Sequence, residues 1–195
     1  MIAVVDTGGA NLASVLDALE RLDAKAELTR DRDLIKASPR VILPGVGSAA
    51  DAMQRLNTAG LIETLKHLEQ PVLGICLGMQ LLFASSQEGP ADCLGVLPGE
   101  VFRLRGPLPV PHMGWNSVEA AGSCALLEGV PANSYFYFVH SYRAPSGPWV
   151  KASAEYGEKV PAVVQKDNFL GVQFHPERSS AAGSKVLANF LAWKP

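Results

Sequence analysis

The sequence predicts an α/β fold with a mostly parallel central sheet, helices covering both faces, and antiparallel additions. Three short apolar segments, at residues 2–5, 41–43 and 72–75, alternate with segments whose apolar residues recur at helical spacing. Residues 160–174 read as a hairpin with a polar turn at 166–168, which supplies the antiparallel part. Because binding sites in parallel sheets gather at the carboxyl ends of the strands, we expect the functional residues at that edge.

Two strand-loop-helix units open the chain. The first strand leads into a loop at residues 6–10, and the apolar residues between 12 and 19 then follow a 3.6-residue period, with Asn11 placed to cap that helix. The second strand leads into residues 44–47, PGVG, and a capping-box pattern beginning at Ser48 predicts the next helix. The first loop lacks G-x-G-x-x-G spacing, so a tight turn explains it better than a dinucleotide site.

The third unit is a sharp turn around a cysteine. Cys76 lies between Gly74 and Gly78, at the point where an apolar strand meets a helix. Glycines at these positions allow the tight backbone turn of a nucleophile elbow, and a helix N-terminus favours the thiolate form of cysteine. A small buried packing residue is the commoner role of a cysteine taken by itself.

The second half of the chain is interrupted by prolines from Gly89 onwards, and its strands are predicted to be short. Runs of β-prone residues occur at 100–104 and 135–139, and polar residues at 140–142 follow the second run. We expect the last helix at about residues 181–193.

Composition and charge limit the classes of function. A chain of 195 residues with 48% hydrophobic content is expected to form one domain, residues 1–195. A net charge of -2 without blocks of like charge disfavours a nucleic-acid or membrane surface. The N-terminus lacks the features of a signal peptide, so we expect a cytoplasmic protein. The three cysteines, Cys76, Cys93 and Cys124, lack the spacing of a disulfide framework or a zinc site.

A nucleophilic thiol needs a base, and that base needs a third group to orient it. His67 is expected on an exposed helix, as a solvated surface residue. His112, in a proline-rich loop, and His140, at a strand end, could each contact a ligand but have no obvious orienting group nearby. His175 differs because it closes an apolar strand and an acidic residue follows two positions later.

That acidic residue is Glu177. In an extended segment, residues i and i+2 point to the same side, so the Glu177 carboxylate can reach the His175 imidazole across Pro176. A surface ion pair at a strand end is the alternative, but with Cys76 elsewhere in the chain a Cys-His-Glu triad explains the pattern better.

Acyl transfer also requires donors for the oxyanion of the tetrahedral intermediate. In an elbow, one donor is the backbone N–H after the nucleophile, here that of Leu77, and the second comes from another strand-to-helix loop. Residues 44–47 are the candidate loop, although the same residues could form only a tight turn.

Two segments together resemble the class I, or triad-type, glutamine amidotransferases: residues 74–80, GICLGMQ, and residues 171–177, GVQFHPE. Four more stretches narrow the resemblance to the glutaminase subunits of imidazole glycerol phosphate synthases: PGVG at 44–47, HMGWN at 112–116, YFYFVHSY at 135–142 and ERS at 177–179. The resemblance covers essentially the whole chain.

The resemblance implies that glutamine is hydrolysed to glutamate and ammonia through a γ-glutamyl thioester on Cys76. His175 would act as acid and base, Glu177 would orient it, and Val46 and Leu77 would supply oxyanion N–H groups. The residues implied for the glutamine site are Gly47, Gln80, His140, Ser141 and Tyr142. No metal or organic cofactor is implied.

The same resemblance implies a partner. Ammonia would pass to a separate cyclase subunit with a (βα)8 barrel, forming a heterodimer that makes imidazole glycerol phosphate and aminoimidazole carboxamide ribonucleotide in histidine biosynthesis. Asn11, Trp115 and Asn116 are the candidate contacts, although a core position for Trp115 is equally compatible with the sequence. Relatives often carry tyrosine and glycine where this chain has Thr7 and Ala10, which affects the loop expected to face the partner.

Two other classes fit the pattern less well. An α/β-hydrolase with a cysteine elbow places its acid before the histidine, whereas Glu177 follows His175 here. A binding subunit that keeps the fold only for assembly would normally have lost a member of the triad, and all three members are present.

Overall fold

A computed structural model of the protein describes residues 1–8 and 11–195. The strands within these residues are, in chain order, β1 (Ile2–Val5), β2 (Ala26–Thr29), β3 (Val41–Leu43), β4 (Val72–Ile75), β5 (Ser85–Ser86), β6 (Ala91–Asp92), β7 (Glu100–Arg103), β8 (His112–Ser117), β9 (Glu119–Ala120), β10 (Tyr135–His140), β11 (Tyr142–Arg143), β12 (Val150–Glu155), β13 (Lys159–Lys166) and β14 (Phe169–Val172). The α-helices are α1 (Leu12–Glu20), α2 (Arg32–Ala37), α3 (Ala49–Thr58), α4 (Ile62–Lys66), α5 (Leu77–Leu81) and α6 (Ser180–Ala192). Single 3-10 turns occur at Ala125–Leu127 and Pro176–Arg178.

The central sheet has eight strands in the order β2-β1-β3-β4-β14-β13-β12-β9. The five strands from β2 to β14 pair in parallel, and the pairs from β14 to β9 are antiparallel. Strands β8 and β10 form a separate antiparallel pair, and β11, β7, β5 and β6 form a small third sheet. The predicted α/β class, with a mostly parallel sheet and antiparallel additions, is confirmed.

Alternating side chains of the parallel strands enter two cores, one on each face of the sheet. In β1, Ala3 and Val5 face the core that includes α3, α4 and α5, while Ile2 and Val4 face the core that includes α1 and α6. Helices therefore cover both faces, as predicted, and the strand ends between the two layers are free to carry the site.

Strands β1, β3 and β4 have the bounds predicted from their apolar runs.

The predicted capping box at Ser48 is half formed, since the Ser48 hydroxyl oxygen accepts a hydrogen bond from the Asp51 N–H at 3.1 Å. The expectation that Asn11 caps α1 is wrong: Asn11 occupies the N-cap position, but its side chain makes no cap hydrogen bond. Strand β14 ends at Val172 rather than at 174, because the chain then turns toward a 3-10 segment.

Two expectations for the second half of the chain need correction. His112 begins strand β8 and is buried, whereas the neighbouring prolines indicated a loop. Strand β12 was not predicted, because its sequence VKASAE has small side chains and only weak alternation.

Two further observations concern the cysteines and the helices. Cys76, Cys93 and Cys124 are all free thiols. In the described part of the chain, no helix combines the length and apolar character needed to cross a bilayer.

Candidate active site

The turn around Cys76 is formed where β4 ends and α5 begins. Cys76 has φ 53° and ψ -108°, a conformation that L-residues adopt at a cost and that is typical of an elbow. Two flanking glycines make this turn possible. A Cβ on Gly78 would lie 1.7 Å from the carbonyl oxygen of Leu43, and a Cβ on Gly74 would lie 2.6 Å from the carbonyl oxygen of Gly78. The start of α5 therefore packs directly against the end of β3.

The thiol of Cys76 lies between two polar groups. Its Sγ is 3.8 Å from the carbonyl oxygen of Val139, which can accept the thiol proton, and 3.7 Å from Nε2 of Gln173, which donates to the sulfur. The pairing of β4 with β14, in which Ile75 lies opposite Val172, brings the two strand ends together. Cys76 and the residues that follow β14 therefore meet at the carboxyl edge of the sheet.

His175 and Glu177 form a buried pair at this edge. Nδ1 of His175 lies 2.7 Å from Oε1 of Glu177, and their side chains are 3% and 0% exposed. The contact does not arise from an extended segment, as the i, i+2 spacing suggested. Residues Pro176–Arg178 form a 3-10 turn, closed by a hydrogen bond of 3.1 Å from the Arg178 N–H to the His175 carbonyl.

Asn11 completes this cluster. Its Nδ2 group donates to Oε1 of Glu177 and lies 3.4 Å from Nδ1 of His175, while its Oδ1 atom accepts from Arg178 at 3.1 Å. The side chain that was expected to cap α1 therefore supports the histidine-glutamate pair, and its contact with a partner stays a prediction. No spacing rule links positions so far apart in sequence, so no sequence pattern pointed to this contact.

The electrostatics of His175 follow from its neighbours. Burial lowers the pKa of His175, but the negative charge of a Cys76 thiolate, together with the hydrogen bond and the charge of Glu177, raises it and prevails, giving a value of about 10. Within the described residues, Nε2 of His175 and Oε2 of Glu177 are buried without a hydrogen-bond partner. The free Nε2 lies on the side of the ring opposite Glu177, where it can hold or transfer a proton.

A cavity of about 400 Å³ opens above the elbow. The predicted site residues that line it are Val46, Gly47, Cys76, Leu77, Gln80, His140, Ser141, Tyr142 and His175. The cavity is also lined by Val139, which belongs to the YFYFVHSY stretch, and by Glu88 and Pro111, which no sequence motif singled out. Burial raises the pKa of Glu88, and a hydrogen bond from the backbone of Ala49 opposes that increase.

A comparison with protein families tests the resemblance found in the sequence. The model of the family described as "Glutamine amidotransferase class-I" matches residues 3–193. The chain belongs to the class I glutamine amidotransferases.

Several curated relatives of this amidotransferase share one name. An imidazole glycerol phosphate synthase subunit HisH from Shewanella sediminis (strain HAW-EB3) is 49% identical over 195 residues, covering 97% of this chain and 89% of the relative. A protein of the same name from Xanthomonas campestris pv. campestris (strain 8004) is 50% identical, covering 97% of this chain and 96% of its own. Another, from Vibrio cholerae serotype O1, is 47% identical and covers 97% of both chains. By their names, these relatives are subunits of a larger synthase.

Solved structures show the same fold. A crystal structure described as a glutamine amidotransferase superposes with a TM-score of 0.76 at 21% identity, covering 98% of this chain and 97% of its own. A putative GMP synthase subunit from Thermoplasma acidophilum gives 0.74 at 19% identity, over 98% of this chain and 92% of its own.

Two buried histidines of the amidotransferase orient each other, contrary to the expectation that they lacked orienting groups. Nδ1 of His140 lies 2.8 Å from the Tyr142 carbonyl oxygen, which only accepts, so this nitrogen carries the proton. Nε2 of His140 therefore accepts from Nδ1 of His112 at 3.0 Å, and Nε2 of His112 accepts from Asn116 at 3.3 Å. Burial lowers the pKa of His112 to about 4. Burial also lowers the pKa of His140 to about 3, with smaller contributions from the charges of His112 and His175.

An apolar surface lies on the outer side of the β8–β10 pair. Trp115 is 53% exposed, which excludes the core position that the sequence left open, and its ring meets that of Tyr137 at 6.0 Å between centroids. Met113, Tyr135 and Val139 extend the same face, and we call these five residues the docking face. The side chain of Asn116 points inward instead, where it donates to His112 and, at 2.9 Å, to the Glu155 carbonyl.

The loop at residues 44–47 lies beside the elbow. Leu77 opens α5, so its N–H has no partner within the helix. Gly47 has φ 94°, and a Cβ built on it would meet nothing within 4 Å. Thr7 is buried, and its hydroxyl donates to the Pro44 carbonyl at 2.9 Å, so this departure from relatives supports the loop. Ala10, the other departure, lies outside the described residues.

In the part of the chain that the structure describes, no group of three or more histidine, cysteine or acidic side chains is arranged to hold a metal ion.

Proposed function

We propose that this amidotransferase hydrolyses glutamine to glutamate and ammonia, with Cys76 as the nucleophile, His175 as acid and base, and Glu177 as the group that orients His175. The observation that carries the proposal is the geometry of the carboxyl edge: His175, held by Glu177 at 2.7 Å, opens onto the same cavity as the Cys76 thiol. A buried base that is oriented on one nitrogen and free on the other fits thiol activation.

The reaction begins with transfer of the Cys76 proton to Nε2 of His175. The thiolate attacks the side-chain amide carbon of glutamine, and the resulting oxyanion is held by the backbone N–H groups of Leu77 and Val46. His175 then protonates the amide nitrogen, ammonia leaves, and a γ-glutamyl thioester remains on the sulfur. Water, deprotonated by His175, hydrolyses the thioester and releases glutamate.

The changing charge of Cys76 lets His175 serve as acid and then as base. While the sulfur is a thiolate, its negative charge raises the pKa of His175 and favours the imidazolium. When the sulfur becomes part of an uncharged thioester, this contribution disappears and burial lowers the pKa. The imidazole can therefore give its proton to the leaving amine and accept one from water.

The cavity also offers groups suited to an amino-acid substrate. Glu88 is the acidic residue among the cavity-lining side chains of the described chain, and its carboxylate complements the α-ammonium group of glutamine. Gly47, Gln80, His140, Ser141 and Tyr142 surround the remaining space and are proposed to position the substrate.

We further propose that residues 1–195 act as one cytoplasmic amidotransferase domain that delivers ammonia to a separate cyclase subunit. That partner would be a (βα)8 barrel, and the heterodimer would make imidazole glycerol phosphate and aminoimidazole carboxamide ribonucleotide in histidine biosynthesis. The names of the curated relatives support this proposal. The docking face supports it as well, since it exposes large apolar side chains next to the cavity, and Val139 belongs to both.

The first test measures glutamate release from glutamine by the chain mixed with its cyclase partner. Cys76→Ala should abolish the release, because no other group in the cavity can form the thioester. Cys93→Ser is the matched control and should retain activity, since Cys93 lies outside the cavity. Full activity of Cys76→Ala would refute the mechanism.

The second test concerns the loop at residues 44–47. The Val46 N–H belongs to the peptide that joins Gly45 to Val46, and the glycines on either side of Val46 permit the backbone rotations that would reorient this peptide. The second oxyanion donor would then be aimed only when the partner and its ligand bind. The isolated subunit should then be nearly inactive. Equal turnover with and without the partner would exclude this form of activation.

A further inference from the structure

We propose that Gln173 is a further catalytic residue, whose side-chain amide donates a hydrogen bond to the Cys76 sulfur and stabilises the thiolate. The proposal rests on the proposed function, because it assigns Gln173 to the nucleophile of that reaction. Nε2 of Gln173 lies 3.7 Å from Sγ of Cys76, within reach of an N–H···S contact.

The backbone holds Gln173 in place. Its N–H donates to the Ala162 carbonyl at 2.9 Å, and the residue is 0% exposed. Phe174 points into the core, where its ring packs 4.2 Å from that of Phe136. Gln173 and His175 lie on either side of Phe174. Gln173 contacts the Cys76 sulfur, and His175 lines the cavity that Cys76 also lines.

The hydrogen-bond network fixes which end of the amide faces the sulfur. Gln80 uses its Nε2 group to contact the Tyr142 carbonyl at 2.8 Å, and a backbone carbonyl can only accept. The same Nε2 group contacts Gln173 at 2.9 Å, so the Gln173 atom at that contact must be the acceptor Oε1. The NH2 group of Gln173 is therefore directed at Cys76.

This donor acts on the two forms of Cys76 differently. The neutral thiol can donate its proton to the Val139 carbonyl, at 3.8 Å, and that contact disappears when the proton moves to His175. The Gln173 N–H remains and is stronger toward an anion than toward a thiol. Gln173 therefore offsets the repulsion that the Val139 carbonyl exerts on the thiolate.

The test measures the apparent pKa of the Cys76 thiol through its rate of alkylation. The full-length chain is treated with iodoacetamide between pH 5 and 9, and the peptide containing Cys76 is followed by mass spectrometry. Gln173→Met keeps the size of the side chain but removes the donor. We expect the apparent pKa to rise by about one unit, with alkylation at pH 6 about tenfold slower.

Two further variants keep the test decisive. Gln80→Met leaves Gln173 in place but removes the group that holds its Oε1 atom, so a smaller rise in the same pKa is expected even if Gln173→Met does not fold. Gln165→Met makes the same substitution in the neighbouring strand β13 and should leave the pKa unchanged. Folding of each variant is checked by thermal unfolding.

The proposal is overturned if folded Gln173→Met and Gln80→Met alkylate with the pH profile of the parent protein, because a packing role for Gln173 would change stability only. Alkylation requires no glutamine. An inactive Gln173→Met with an unchanged thiol pKa would therefore count against this proposal alone, whereas an active Cys76→Ala would count against the proposed function.

Discussion

At the scale of single residues, Glu88 lines the cavity, and its carboxylate is proposed to contact the ammonium group of the substrate. Glu88→Gln keeps the shape of the side chain but removes its charge. We expect KM for glutamine to rise about tenfold or more with a smaller change in kcat, because a charge-assisted contact made equally in ground and transition states affects binding. Steady-state glutaminase kinetics of the complex measure this change, with Glu63→Gln, at an exposed position of α4, as the control. An unchanged KM would remove Glu88 from the substrate site.

Single residues differ in how far the sequence could predict them. Cys76, His175 and Glu177 stand next to strand ends and within short motifs, so local spacing suggested them. The roles of Asn11 and Gln173 could not be predicted in this way, although Asn11 was a candidate cap and partner contact and Gln173 lies within the GVQFHPE segment. Each acts through a contact with residues far away in sequence, 166 positions for Asn11 with Glu177 and 97 for Gln173 with Cys76.

At the scale of elements, the packing of α5 against β3 depends on Gly78. Gly78→Ala would place a methyl group 1.7 Å from the Leu43 carbonyl oxygen, so helix and strand must separate. We expect the free energy of unfolding to fall by about 3 kcal/mol or more, measured by urea denaturation. Gly95→Ala is the control: its φ of 67° strains an alanine, but nothing lies within 4 Å. It should lose only about 1 kcal/mol. Similar losses in both variants would contradict the packing argument.

The docking face allows a second prediction at this scale. Trp115→Ala removes its largest ring, and we expect the dissociation constant of the complex with the cyclase to rise about thirtyfold or more, as for a central aromatic residue of an interface. Calorimetric titration measures the change. Leu28→Ala, an exposed apolar residue on the outer strand β2, should leave the constant unaltered. If Leu28→Ala weakened the complex and Trp115→Ala did not, the docking face would be misplaced.

Elements were predicted well where one signal dominated. The buried strands β3 and β4 are short runs without polar side chains, and Pro44 follows β3 while Pro71 precedes β4. Strand β8 was not predicted, because its apolar side chains face outward and its polar side chains face inward. Outward Met113 and Trp115 are apolar, and inward His112 and Asn116 are polar, so alternation is reversed relative to a strand on a solvated surface.

At the scale of the whole molecule, the buried neutral histidines couple stability to pH. The pKa of His112 and His140 is about 4 and about 3 in the folded protein, below the ordinary value of 6.5. The unfolded chain therefore binds more protons below pH 6.5, and stability falls as the pH falls. Each histidine contributes about 1.4 kcal/mol per pH unit between 6.5 and 4. His175, whose pKa is raised to about 10, contributes a slope of opposite sign, and only above pH 6.5.

Urea denaturation between pH 7 and pH 5 measures this slope. His112→Gln removes one of the two titrating groups and should reduce the slope by about half. His67→Gln, an exposed histidine, should leave the slope as it is. A slope that does not respond to His112→Gln would mean that other groups cause the acid sensitivity.

The strand that carries the docking face also supports His175 through its backbone. The Tyr137 carbonyl accepts from the His175 N–H at 2.9 Å, and the Ser179 hydroxyl accepts from the Tyr137 N–H at 3.0 Å while donating to the His175 carbonyl at 2.6 Å. During evolution, the side chains of the docking face can change to follow a changing partner. An insertion or deletion in β10 near Tyr137 would displace the histidine, so the length of this strand should vary less among descendants than the residues it displays.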